Sequence, residues 1–310
     1  CKQQRRHQGL KKLPGTQRNS LFVLFFLLIM VISNSSTGAG KYPLVIRDQF
    51  GRPVMINSLP QRIVSGSPGN TELLFALGLG ERVVGVTDWC DFPPAAKSKA
   101  RIGSIAPLNI EKVLSLRPDL VLACNLNGKE PVEKLTELGV PTFALNPVSF
   151  AEIIEAVSLV GQITGQEEQA AELAATFTRT LDQVKQKGQT MGRPMKVFIA
   201  IGDDLQDLWT AGRGTFLDEA VALCGGENIA AGLGFSWGRL GMEYILKMDP
   251  DLILTELDPQ VFLADPFFRA LTAGRKRQIY QIDVDLFSRP GPRLLEALNE
   301  LVQIFEQVAR

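Results

Sequence analysis

Two glutamates, Glu111 and Glu243, occupy the same place in a phrase that occurs twice in the chain, 132 residues apart. In each copy the Glu is followed by apolar residues at helical spacing, by the pair Pro-Asp and then by an apolar run. The phrase predicts a two-turn helix, a turn and a buried strand, because Pro cannot continue a helix and Asp forms a turn with its own backbone. A repeat of this kind predicts two lobes of related structure.

Two interpretations of these carboxylates stay open on the sequence. The helix dipole favours a Glu in the first turn by about 0.3 to 1 kcal/mol, which is a purely structural role. At the same corner of two related lobes, however, Glu111 and Glu243 would form a matched pair of exposed acidic points. Such a pair is suited to a two-fold partner that carries basic pockets.

All three tryptophans lie in segments that the sequence predicts as loops. Trp89 follows the predicted strand Val83 to Val86, Trp209 follows the predicted strand Met195 to Ile201, and Trp237 lies in a Gly-rich stretch. Open α/β sheets bind ligands beyond the carboxyl ends of their strands, so these positions predict a ligand surface. Flat apolar faces with a polar tip suit a large, rigid, partly apolar ligand, whereas a single Trp is as often core packing.

The composition excludes several kinds of catalytic and metal site. The only histidine among 310 residues is His7, so the rest of the chain has no His-dependent triad, zincin site or His-rich metal cage. The segment Gly66 to Gly69 lacks the Lys of a phosphate-binding loop. Asp203, Asp204 and Asp207 either bind a hard cation or form a solvated turn, and the turn is the more common case. We predict a binding protein with no catalytic residues, no metal and no cofactor.

The first 39 residues have the order of a secretory signal peptide. Six Lys and Arg precede an apolar run at 21–32, and no Asp or Glu occurs before Asp48. The run is shorter than the about 20 residues of a membrane-spanning helix. No Cys follows the end of the run, so the sequence does not predict a lipid anchor. We predict a signal peptide at 1–39 and export. The remaining chain has 27 basic and 33 acidic residues, so the exported body is mildly acidic.

In the exported body, predicted strands alternate with predicted helices. This alternation predicts parallel sheets covered by helices on both faces. We predict an N-terminal α/β lobe at 40–148, linking helices at 149–192, of which the second and longer joins the lobes, and a C-terminal α/β lobe at 193–310. The cysteines of the body, Cys90, Cys124 and Cys224, are odd in number and predict small buried side chains rather than a disulfide framework.

Several segments together resemble one family. They are Arg62 to Gly78, Gly85 to Pro93, the two Glu phrases, Cys224-Gly-Gly-Glu-Asn228 and Arg289-Pro-Gly-Pro-Arg293. Over about residues 42 to 308 the chain resembles the periplasmic substrate-binding proteins of ABC importers for cobalamin and ferric siderophores. The resemblance implies the class III fold, with two lobes joined by one long rigid helix, little hinge closure and a ligand in the cleft. It also implies a periplasmic monomer whose Glu111 and Glu243 form salt bridges with arginines of an inner-membrane permease, and no nucleic-acid partner.

The resemblance also implies a set of ligand contacts. Trp89, Trp209 and Trp237 match cleft aromatics that pack on a corrin ring, although two further aromatic positions are Ile105 and Cys124 here. The loop residues Asp285, Phe287 and Arg289 would face the same cleft or form a solvated turn.

An anionic siderophore would need several arginines, but those available in this acidic body are scattered; they are Arg213, Arg239, Arg289 and Arg293. We therefore predict a corrinoid as the transported ligand, with a ferric siderophore or haem as the alternative.

Overall fold

The computed structural model describes residues 41–309, and the chain from Pro43 to Arg310 forms one compact unit. The predicted signal peptide at 1–39 lies outside the described residues. Within residues 41–309, every helix is too short or too polar to cross a membrane.

The N-terminal half contains a hairpin and a five-stranded parallel sheet. The hairpin pairs β1 (Leu44–Arg47) with β2 (Pro53–Ile56) in antiparallel register. The sheet has the order β5-β4-β3-β6-β7, and all its neighbouring strands are parallel. Its strands are β3 (Ile63–Ser65), β4 (Val83–Val86), β5 (Ala100–Arg101), β6 (Leu120–Cys124) and β7 (Thr142–Leu145). Its helices are α1 (Pro68–Ala76), α2 (Ile110–Ser115) and α3 (Lys129–Glu137).

Two helices connect this sheet to the second one. Ser149 caps α4 (Phe150–Thr164) by accepting a hydrogen bond from the Glu152 amide, and Gly165 ends it in the left-handed conformation. The longer α5 (Glu167–Gly188) follows and packs against α4. Both helices lie within the segment 149–192 that the sequence predicts as the link.

The C-terminal half contains a four-stranded parallel sheet of order β10-β8-β12-β13 and a separate antiparallel pair, β11-β9. Its strands are β8 (Met195–Ala200), β9 (Trp209–Ala211), β10 (Gly226–Asn228), β11 (Trp237–Arg239), β12 (Leu252–Thr255) and β13 (Ile279–Gln281). Its helices are α6 (Phe216–Leu223), α7 (Met242–Met248), α8 (Pro259–Ala264), α9 (Pro266–Ala270), α10 (Thr272–Arg275), α11 (Val284–Ser288) and α12 (Leu294–Val308). Two lobes with parallel sheets confirm the predicted fold class.

The Asp of each repeated Pro-Asp pair has a tertiary role as well as a turn. Asp119 accepts hydrogen bonds from the backbone amides of Gln61 (2.8 Å) and Arg62 (2.9 Å), just before β3. Asp251 accepts one from the Lys196 amide (3.0 Å) in β8. Each Asp therefore ties the repeated segment to the start of the first strand of its own sheet, which supports the predicted relation between the lobes.

Three local structures differ from their sequence predictions, which were wrong there. Trp209 and Trp237 lie on the short strands β9 and β11 rather than in loops, because β9 pairs with β11 and Trp209 also bridges Ile201 just after β8. Asp285 and Phe287 lie in the one-turn helix α11, which the side chain of Asp283 caps.

Candidate functional site

A cavity of about 370 Å³ lies between the two lobes, beyond the carboxyl ends of β6 and β7. The N-terminal lobe lines it with Ser67, Asn70, Cys124, Asn125, Leu126, Leu145, Asn146, Pro147 and Val148. The C-terminal lobe lines it with Thr215, Phe216, Trp237, Ser288 and Pro290. Its position is the edge of a parallel sheet at which α/β proteins bind ligands.

The lining of this cavity carries no ionisable acid or base among the residues that the structure describes, apart from one thiol. The amide of Asn70 is fixed because its Nδ2 donates to the carbonyls of Leu122 (3.1 Å) and Ala123 (3.0 Å). Partial burial raises the pKa of the Cys124 thiol and keeps it neutral. The cavity therefore offers amides, hydroxyls and apolar surface without net charge.

Two tryptophans lie side by side on the antiparallel pair β9–β11. Trp237 is opposite Ala211 and Trp209 is opposite Arg239. Opposed residues and alternate residues share one face of a two-stranded sheet, so all four side chains are on the same face. Both indole rings are 43% exposed, and Trp237 lines the cavity. The guanidinium of Arg239 lies over the Trp209 ring at 4.9 Å from its centroid.

Trp89 is the most exposed tryptophan, at 63%, in the loop after β4. It does not line the 370 Å³ cavity. The same loop reaches the junction of the lobes, because Asp91 bonds to Arg289 (2.7 Å) and the Phe92 ring packs under Arg293 at 4.2 Å. The three predicted tryptophans are thus all available to a ligand, but only Trp237 lines the closed part of the cleft.

Arg289 and Asp285 pair with protein groups. Arg289 Nη1 lies 2.7 Å from Asp91 and 3.4 Å from Glu72, and its Nη2 lies 2.7 Å from Asp285. Burial alone would lower the pKa of Arg289, but these carboxylates outweigh it and raise that pKa. Burial alone would raise the pKa of Asp91, but the hydrogen bond and charge of Arg289 leave it lowered. These side chains form contacts between elements rather than an open ligand surface.

Phe287 corrects a sequence prediction, because its side chain is only 2% exposed and belongs to the core. The neighbouring residues Ser288 and Pro290 line the cavity instead. In this one-turn helix, adjacent side chains point to the core and to the cleft, and a segment of five residues is too short for a sequence pattern to show which is which.

Glu111 and Glu243 are both exposed, each in the first turn of a short helix, α2 or α7. Neither carboxylate forms an ion pair with another residue of the described chain. The two equivalent positions in the lobes are therefore free to meet an external cation.

The acidic turn after β8 is explained without a metal ion. Asp204 accepts hydrogen bonds from the amides of Gln206 (2.7 Å) and Asp207 (3.0 Å), and Asp207 pairs with Arg239. Across residues 41–309, no group of three or more His, Cys, Asp or Glu side chains is placed to hold a metal ion.

The three cysteines of the described chain are free thiols. Cys90 and Cys224 are buried, and burial raises the pKa of Cys224 to about 12.

Comparisons with known proteins cover both parallel sheets. Residues 63–286 match the family model described as periplasmic binding protein. An ABC transporter substrate-binding lipoprotein of Bacillus subtilis (strain 168) is 32% identical over 270 residues, which are 84% of this chain and 85% of the relative. The vitamin B12-binding protein of Pectobacterium carotovorum subsp. carotovorum is 30% identical over 247 residues, or 79% of this chain and 88% of the relative. The solved structure of a periplasmic heme-binding protein from Roseiflexus sp. RS-1 has a TM-score of 0.73 and 29% identity, and the match covers 81% of this chain and 99% of that one.

Proposed function

The chain belongs to the periplasmic binding protein family, and we propose that its ligand is a corrinoid held in the cleft between the two lobes. The family consists of solute-binding transport proteins. The chain is accordingly the substrate-binding component of an ABC importer and not an enzyme, as the sequence predicted.

The uncharged lining of the interlobe cavity is the observation that carries the corrinoid proposal. Asn125 and Asn146 offer amide groups at its wall, and Trp237 offers a flat apolar face. Asn70 adds a polar side chain whose Nδ2 is already bound to two backbone carbonyls. A corrinoid presents the complementary surface, a rigid macrocycle with amide side chains around its rim. Apolar surface with a few placed polar groups is the usual composition of a site for such a ligand.

An anionic siderophore suits this cleft poorly because the arginines near it already have partners. Arg289 and Arg293 bind the carboxylate of Glu72, and Arg239 binds Asp207. Arg213 donates from Nε to the Ala231 carbonyl at 3.0 Å. Free guanidinium groups are the usual receptors for carboxylate or catecholate oxygens.

Haem is the second candidate because of the heme-binding protein from Roseiflexus sp. RS-1. Proteins hold haem iron through His, Cys, Met or Tyr. Of these residue types, only Cys124 lines the cavity in the described chain, and its raised pKa disfavours the thiolate that iron requires. A corrinoid needs no such ligand, since its cobalt is already held by the ring.

Tryptophan fluorescence during titration with cyanocobalamin and cobinamide tests the proposal. We expect quenching at micromolar ligand, and Trp237→Ala should weaken binding by about tenfold through loss of a stacking face. Phe50→Ala is the control, because Phe50 is a similarly exposed aromatic residue that does not line the interlobe cavity. Absence of quenching, or tighter binding of hemin or of a ferric siderophore, would overturn the corrinoid assignment.

The partner that follows from this function is a membrane permease, and the place of action is outside the cytoplasm. We propose that Glu111 and Glu243 dock two basic sites of that permease. Their exposure, their equivalent places in the two lobes and their lack of an ion partner in the described chain support this role. Two identical permease subunits would present their basic sites with the matching two-fold relation.

A further inference from the structure

Five charged side chains meet at the junction of the lobes beside the cleft, and we call them the clasp. The N-terminal lobe contributes Glu72 and Asp91, and the C-terminal lobe contributes Asp285, Arg289 and Arg293. The clasp joins residues more than 200 positions apart, so it is a contact between the two halves of the chain.

Glu72 is the centre of the clasp. Its side chain is only 2% exposed, and its two oxygens accept hydrogen bonds from Arg293 Nη2 at 2.7 Å and from Arg293 Nε at 3.0 Å. This fork geometry gives a stronger and more directional bond than a single contact. A buried carboxylate without its cation is strongly disfavoured, so loss of Arg293 would favour a movement of the lobes that lets water reach Glu72.

The backbones of the two lobes also touch beside Glu72. A Cβ atom placed on Gly69 would lie 2.9 Å from the carbonyl oxygen of Pro290, and one on Gly291 would lie 3.3 Å from the carbonyl oxygen of Gly69. Glycine at these two positions lets helix α1 and the segment before α12 approach to contact. The charged group and the backbone contact therefore fix the same junction.

The clasp alternates in sequence with residues that line the cavity. Asn70 lines the cavity two positions before Glu72, and Ser288 and Pro290 line it on either side of Arg289. A shift of α1 relative to the segment 288–293 would move these walls apart. The position of the clasp thus sets the width of the cleft on this side.

We propose that Glu72, Arg289 and Arg293 are positioning residues that hold the lobes at the separation that ligand binding requires. They act through the walls of the cavity and not by contact with the ligand. The effect on ligand affinity rests on the proposed function, whereas the effect on lobe separation does not.

The first experiment measures lobe separation without ligand. Spin labels at Lys112→Cys and Lys247→Cys, one on an exposed helix of each lobe, report the distance in full-length protein with Cys1 and Cys124 replaced by Ser. We expect Arg293→Gln to shift or broaden the distance distribution by about 2 Å or more. Arg52→Gln is the matched control, since Arg52 pairs at 2.6 Å with the buried Asp48 inside one lobe, and it should leave the distance unchanged.

The second experiment measures the affinity of the same variants for cyanocobalamin in the native-cysteine background. Arg293→Gln should lower affinity by about tenfold or more, Arg293→Lys by less because it keeps the charge, and Arg52→Gln not at all. If circular dichroism shows that the Arg293→Gln variant does not fold, Arg289→Gln takes its place, because this substitution leaves the bond between Glu72 and Arg293 intact.

Either of two results overturns the clasp proposal. One is a distance distribution that Arg293→Gln leaves unchanged, and the other is a change that Arg52→Gln reproduces equally. If wild-type protein does not bind cyanocobalamin, the distance measurement still decides the role of the clasp, so the failure of each proposal is distinguishable.

Discussion

Cys124 is the last residue of β6, and it lines the interlobe cavity. Its backbone amide donates to the side-chain oxygen of Asn127 at 2.8 Å, and that buried asparagine also bonds to the carbonyls of Gly66 and Ile105. The thiol is therefore held at a fixed place at the edge of the cleft. A side chain smaller than an aromatic ring here leaves more room on this wall of the cavity.

Thiol reactivity tests this placement. In native protein we expect slow alkylation of Cys124 and none of Cys90 or Cys224, because only Cys124 is partly exposed and burial raises its pKa. Cyanocobalamin should slow the Cys124 reaction several-fold by covering it. Peptide mapping by mass spectrometry after timed iodoacetamide treatment measures each site separately. Unchanged Cys124 modification at saturating ligand would contradict its place in the binding site.

Helix α12 shows what one element contributes to the C-terminal lobe. Its apolar residues recur at helical spacing and form one buried face, which consists of Leu294, Leu298, Leu301, Val302 and Phe305. The helix begins directly after Arg293, so its packing also anchors one end of the clasp. The packing of α12 therefore stabilises both the helix and the position of Arg293 in the clasp.

Truncation on this face should therefore destabilise the fold. We expect Leu301→Ala to lower the free energy of unfolding by about 2–5 kcal/mol, since it removes a side chain that is 1% exposed and leaves a cavity. Gln303→Ala on the exposed face of the same helix should change it by less than about 0.5 kcal/mol. Urea denaturation followed by circular dichroism provides both values. Equal effects of the two substitutions would show that the helix does not pack as described.

At the scale of the whole molecule, two lobes of similar design each carry an exposed glutamate at the equivalent position, Glu111 or Glu243, and a neutral cavity lies between the lobes. Neither glutamate lines the cavity, so the proposed ligand site and the proposed docking of the permease can be changed separately. This separation is what a carrier needs, because it binds its ligand away from the permease and delivers it there.

A double substitution distinguishes permease docking from ligand binding. We expect Glu111→Ala with Glu243→Ala to leave cyanocobalamin affinity within about twofold, because neither residue lines the cavity. Ligand uptake in cells, or binding of the purified protein to permease vesicles, should fall by tenfold or more through loss of two charge-assisted contacts. Glu130→Ala with Glu227→Ala is a control of equal charge at other exposed positions. Weaker ligand binding, or uptake that stays at the wild-type level, would contradict the docking role.

Sequence patterns predicted the strands and helices of both lobes well, because each of these elements depends mainly on residues that are close together in the chain. The alternation of apolar runs with helices predicted the parallel sheets, and the repeated Glu phrase predicted α2 and α7 with their following strands. The pairing of β9 with β11 was not predictable, since it joins two short segments that are separated in the chain, and β9 is also held by the bridge from Trp209 to Ile201.

The sequence by itself determined an α/β chain in two related lobes, the absence of imidazole chemistry beyond His7, and the places of Glu111 and Glu243. These follow from composition and from periodicities of a few residues. Only the tertiary structure decided that Arg289 turns toward carboxylates and that Phe287 is core. The physical reason is distance along the chain: Glu72 and Arg293 are 221 residues apart, and their opposite charges come together only once the lobes have met.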